Sequence, residues 1–451
     1  MKTFLQDTET PKMLRRFLMA GLCTITLSGC SDMWFGENEA PPLPGERISV
    51  LLHERAVKPD PNLDGREVLL PPPAPNLNWP QAGGFANHAM HHIEVAQNLS
   101  KAWRTSVGAG SDDSERIVAQ PIVADGKIFT VDSENMVSAF NADTGEKIWE
   151  QELTPEHEDD GHISGGLAYD NGRLYVATGF ALLFGIEAKT GKTIWVSKTD
   201  APMRAAPTAR GNRVFAITLN NELVAYDGRN GNKLWDHKGI AETASILGGA
   251  SPAVDQGVVV AAFSSGDIVA LKVENGQQIW VESLTGARRV DAISALTAIR
   301  GRPIIDRGRV YAISNSGTFT SIDLKTGRRY WSKEISSQET PWIAGDYLYV
   351  VTPNAELLCV NRLDGKIHWV TLLPRWEDPE ERTGNLTWST PILVSDRLIV
   401  AGSNEQAYSF SPYSGELLGR VEMPDKIIVP PLAANGSLYF LSDGADLVAY
   451  R

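Results

Sequence analysis

The chain has 451 residues, a net charge of −13, 40 glycines, 26 prolines and three cysteines. The acidic balance argues against nucleic acid as a main partner, because a phosphate backbone is met by a basic surface. So few cysteines leave no disulfide framework, and the glycine and proline content suits a turn-rich β protein.

Lys12, Arg15 and Arg16 precede an apolar run over residues 17–27. The run is too short to span a bilayer but fits the hydrophobic region of a signal peptide. It ends in Leu27-Ser28-Gly29-Cys30, which resembles the bacterial lipobox, whose cysteine is lipidated and becomes the mature N-terminus. Residues 1–29 therefore read as a lipoprotein signal peptide and Cys30 as the lipid anchor, with Met1 or Met13 as the start. Ser31, where inner-membrane retention in well-studied bacteria uses Asp, points to an outer-membrane anchor facing the periplasm.

Residues 30–95 carry the anchor and a Pro-rich tether, with Pro41-Pro42-Leu43-Pro44 and Pro71-Pro72-Pro73-Ala74-Pro75. As a flexible coil, the 65 residues after Cys30 would reach roughly 40–50 Å. Asn78-Trp79-Pro80-Gln81-Ala82-Gly83-Gly84 marks the expected start of ordered structure, and His88, His91 and His92 read as surface residues at that junction.

Residues 96–451 carry a repeat. Gly145, Gly191, Gly231, Gly276, Gly327, Gly365 and Gly415 are spaced by 46, 40, 45, 51, 38 and 50 residues, the period of a propeller blade. Four residues after each glycine stands Trp149, Trp195, Trp235, Trp280, Trp331 or Trp369, with Gly419 breaking the rule. Six residues before each glycine stands a small residue: Ala139, Gly185, Ala225, Ala270, Ser321, Cys359 or Ser409. Short apolar runs between tight turns give a meander, the glycine supplies a positive φ, and the tryptophan fills the wedge between blades. The small residue marks crowding between adjacent sheets, so Cys359 reads as a buried small residue and not a nucleophile.

The ends complete the count. Leu447-Val448-Ala449-Tyr450 matches the third strand of a blade, while Trp103 belongs to a fourth strand that lacks its predecessors. Joined, they make an eighth unit. The predicted fold is all-β: an eight-bladed β-propeller of four-stranded antiparallel blades, closed by N- and C-terminal strands.

The Ala-x-Asp-x-x-Thr-Gly-x-x-x-Trp pattern, nearly whole at 139–149, resembles the repeats of PQQ-type eight-bladed propellers. Two branches share it: quinoprotein dehydrogenases and the BamB family of outer-membrane lipoproteins of the β-barrel assembly machinery. The lipobox, the eight units and the Trp79–Gly84 entry resemble the second branch. The resemblance implies a non-catalytic scaffold without cofactor, docking to a BamA-type barrel-insertion subunit and other assembly-machinery lipoproteins and serving unfolded outer-membrane β-barrel clients. It also implies docking loops at Ala244-Ser245-Ile246-Leu247-Gly248 and Val290-Asp291-Ala292-Ile293-Ser294, where Leu247 replaces a frequent arginine. The expected partner-binding residues are Ile246, Leu247, Arg288, Arg289, Asp291 and Ile293.

The rival is a PQQ- and calcium-dependent dehydrogenase, which needs a carboxylate and amide set around the ion. No such set, and no adjacent cysteine pair, stands out in the sequence. A periplasmic ligand-binding propeller is the third reading. The run Glu156-His157-Glu158-Asp159-Asp160-Gly161-His162 contains metal-capable groups but sits between units and reads as a solvated loop.

Overall fold

In the computed structural model the described residues are 57–63, 65–158, 163–242, 248–285 and 298–451. They form eight four-stranded antiparallel sheets, one two-stranded hairpin and a 3-10 turn at Pro61–Leu63. Blades 1 to 7 span 122–152, 166–198, 208–238, 253–283, 304–333, 342–372 and 392–422. The hairpin Trp376–Asp378 with Thr383–Asn385 lies between blades 6 and 7. Blade 8 takes Leu432–Ala434, Ser437–Leu441 and Asp446–Tyr450 from one end of the chain and Lys101–Ser106 from the other. Trp103 pairs with Ala449, the juncture expected from the repeat.

Within each blade the first strand is short and mostly buried, while the fourth is largely exposed. First strands of most neighbouring blades touch one another and so surround the axis. The repeat residues lie side by side across a blade. Tyr175, Gly185 and Trp195 form one such row over the second, third and fourth strands, and Phe129, Ala139 and Trp149 form another. A Cβ on Gly185 would stand 2.2 Å from the Trp195 ring. The small residue is therefore dictated by the tryptophan of its own blade, and not by crowding between adjacent sheets. Cys359 fills this position opposite Trp369, fully buried, and burial pushes its thiol pKa up. A bulge between glycine and tryptophan turns the intervening residue outward, as at Ile148 and Ile194.

The turn glycine is the floor for the preceding blade's tryptophan. Gly145 has φ +75° and its missing Cβ would lie 2.7 Å from Trp103. Gly191 meets Trp149 in the same way, and the relation recurs through Gly415 and Trp369. Each indole also donates to the carbonyl three residues before that glycine: Trp149 to Ala188 at 3.2 Å, Trp280 to Leu324 at 2.8 Å, Trp331 to Arg362 at 2.9 Å. At the closing seam Trp103 Nε1 has no such partner, and the Ala142 carbonyl instead accepts from Arg451 Nη2 at 3.0 Å.

The same logic accounts for Gly419. Blade 8 draws its third and fourth strands from opposite ends of the chain, so no glycine turn joins them. With no floor at the seam between blades 7 and 8, no tryptophan stands above it. A groove of about 300 Å³ remains, lined by Leu99, Tyr408, Leu418, Val421 and Tyr450.

Residues 57–95, assigned from sequence to the tether, lie on the propeller, so ordered structure begins well before Trp79. Residues 76–93 trace one circuit of the inner wall, bonding each blade in turn. Asn76 O accepts from Asn435 N (2.7 Å, blade 8) and Trp79 N donates to Val123 O (2.7 Å, blade 1). Pro80 O accepts from Tyr169 N (2.7 Å, blade 2), and the Gln81 amide bonds both backbone groups of Ala209 (2.9 and 2.5 Å, blade 3). Ala86 O and Asn87 O accept from Val254 N (2.6 Å) and Ile305 N (2.9 Å) in blades 4 and 5. His91 O accepts from Trp342 Nε1 (2.9 Å, blade 6), and Ile93 O from Ser395 N (2.9 Å, blade 7). This collar pairs the free inner edges of the sheets. Its apolar residues Trp79, Ala82, Ala86, Met90, Ile93 and Val95 are buried, and Trp79 stacks on Trp342 with centroids 6.0 Å apart.

Candidate functional site

Connections that lead into the first strands line a cup at the axis. Its walls include Val118, Gly165, Arg204, Gly249, Arg300, Arg302, Glu339 and Pro430, from seven blades. The collar lies against its floor: a Cβ on Gly83 would stand 3.2 Å from both Arg302 Cδ and the His88 ring. The narrow part holds about 70 Å³ and adjoins, through Arg300, Gln338 and Glu339, a vestibule of about 500 Å³ on blades 5 to 7.

Electrostatics in the cup are lopsided. Arg300 Nη1 lies 3.4 Å from Glu339 Oε1, and Glu339 Oε2 accepts from Thr390 Oγ1 at 3.0 Å. Arg302 donates its backbone N–H to Thr340 Oγ1 at 3.0 Å, yet its Nε is shut off from solvent with no partner. Burial lowers the Arg302 pKa to about 10, with Glu339 opposing and Arg300 adding to the shift. Beneath it, His88 Nδ1 donates to the Pro303 carbonyl at 2.8 Å, and burial, then Arg302, lower its pKa to about 3.

Two of the junction histidines depart from expectation. His88 and His92 are buried, because the collar they belong to is inside the ring. His92 Nδ1 donates to Pro71 O at 2.7 Å and its Nε2 accepts from Asp396 N at 2.9 Å. His91, half-buried, places Nε2 3.3 Å from Asp306, whose carboxylate also binds the buried Arg362 guanidinium. Burial works to raise the Asp306 pKa, but His91 and Arg362 together bring it below the ordinary value. Spacing gave no signal for this cluster, since its members come from the collar and from blades 5 and 6.

Cys30 and the expected partner-binding residues Ile246, Leu247, Arg288, Arg289, Asp291 and Ile293 lie outside the described residues. Their flanks are described: Gly248, Ala298 and Arg300 line one cavity beside Arg204, on the cup's face of the ring. Glu156, His157 and Glu158 are exposed, and residues 159–162 of that run lie outside the described residues.

The dehydrogenase branch of this fold implies a calcium-held quinone. The donors present do not fit one: among the described residues Glu339 is the carboxylate lining the cup, and Arg300 and Thr390 already engage it. No group of three His, Cys, Asp or Glu side chains suited to a metal occurs among the described residues.

Eight closed four-stranded blades with this glycine and tryptophan pattern define a propeller of the PQQ-repeat class. The family profile described as outer membrane protein assembly factor BamB matches residues 133–371, over half of the chain, and the chain belongs to that family. A profile for the β-propeller domain of glucose/ethanol/alcohol dehydrogenases matches residues 83–170. The outer membrane protein assembly factor BamB of Moranella endobia (strain PCIT) is 25% identical over 350 residues, covering 75% of this chain and 87% of that protein. The crystal structure of BamB from Moraxella catarrhalis superposes with a TM-score of 0.65 at 20% identity, covering 78% of this chain and all of that one. The quinohemoprotein alcohol dehydrogenase of Comamonas testosteroni superposes with a TM-score of 0.64 at 13% identity, covering 83% and 80%, a likeness of fold alone.

Proposed function

We propose that this chain is a non-catalytic scaffold lipoprotein of the β-barrel assembly machinery, anchored in the outer membrane through Cys30 and facing the periplasm. Family membership along more than half of the chain carries the reading. In it, residues 1–29 direct export, and the cup's face docks onto a BamA-type barrel-insertion subunit through Ile246, Leu247, Arg288, Arg289, Asp291 and Ile293. The adjacency of Gly248 and Ala298, the first described residues after each proposed loop, supports this. Apolar tips would supply buried contact and the charged neighbours would set register.

The test is recovery of the native protein from detergent-solubilised membranes after mild crosslinking. The barrel-insertion subunit is expected to co-purify, and Arg288→Glu with Arg289→Glu should cut its capture at least tenfold. Purification without that subunit would sink the scaffold reading. Full capture by the double variant would remove the two arginines from the interface.

A further inference from the structure

We propose that the axial cup binds a small oxyanion, of phosphate or carboxylate chemistry, between Arg204, Arg300 and Arg302. Three guanidinium groups face one carboxylate, Glu339, in a chain whose net charge is −13. Only Arg300 has an ion partner there; among the described residues no ion pair reaches Arg204 or Arg302. All three arginines are half-buried, and desolvating a cation without pairing it is costly, so unpaired cations converging on one cavity point to a ligand that completes them. Arg302 meets this condition most sharply, since its Nε is closed off and bonds nothing.

Geometry limits the ligand. The narrow cup of about 70 Å³ has room for roughly five waters at ~10–15 Å³ each, the scale of one phosphate or a compact carboxylate. The planar guanidinium fork matches the paired oxygens of either group. The collar closes the far end through Gly83 and His88, so entry is from the loop face.

The full-length protein in detergent is titrated calorimetrically with inorganic phosphate, and in parallel with succinate, at fixed ionic strength in chloride. Saturable binding of at least one is expected, and the stronger arm identifies the chemistry. Arg204→Gln should weaken that binding at least tenfold while leaving the melting temperature in chloride unchanged. Arg302→Met should melt above the native protein in chloride and gain nothing from the anion. Absence of saturable heat with either probe overturns the proposal, as does native affinity in Arg204→Gln. If Arg302→Met fails to fold, the titration and Arg204→Gln still decide the matter.

Discussion

His88 shows how one side chain ties the collar to acid stability. Its folded pKa, about 3, lies below the ordinary 6.5, so the unfolded chain takes up the proton first. Stability from this site is therefore intact above pH 6.5 and falls as pH drops from there toward 3, by up to ~1.4 kcal/mol per pH unit. Asp306 acts lower on the scale: its depressed carboxyl stabilises the fold above the usual 3.8 and loses that effect as pH falls through its folded value. His88→Gln, which keeps a donor for Pro303, should lose less stability than the native protein between pH 7 and pH 4.5. Urea midpoints at the two pH values check this, and equal losses would show that His88 is not the titrating group.

Among the elements, the seam between blades was half legible. The glycine-to-tryptophan spacing announced the blades and their number, because that spacing is local. It did not announce the aromatic that completes most rows, such as Tyr175 or Tyr349, because second-strand residues look like any apolar strand. Nor did it explain Gly419, whose meaning depends on a turn missing from another blade. The seam rule predicts opposite outcomes for two glycines. Gly276→Ala places a Cβ 2.6 Å from Trp235 at φ +71° and should cost ~1–3 kcal/mol. Gly419 has nothing within 4 Å of its would-be Cβ and faces the open groove, so Gly419→Trp should add ~0.5–2 kcal/mol. Equilibrium unfolding in urea measures both, and a Gly419→Trp variant weaker than the native protein would show that the seam is already filled. The axial cup was less legible still, because Arg204, Arg300 and Glu339 lead into blades 3, 5 and 6 and share no spacing beyond the repeat itself.

At the scale of the molecule, the collar was illegible for a physical reason: it makes only a few hydrogen bonds with any one blade and never forms a run with a period. Its proline-rich approach has the composition of a spacer, and only the ring gives its scattered apolar residues somewhere to bury. A chain beginning at residue 96 should therefore unfold at lower urea than one beginning at residue 57, and self-associate on gel filtration through the uncovered inner edges. A monomeric 96–451 chain with an unchanged midpoint would show that the collar is dispensable. The closing blade has a consequence in time. Ser106 pairs with Asp446, 340 positions later, so at ~5–20 residues per second the first-made strand waits about 20–70 s for its neighbour. Throughout that interval no order of folding can yield a finished ring, and each completed blade presents an unpaired flank. The ring is thus closed only when the last strand of the chain meets the first, which stands without its neighbour until then.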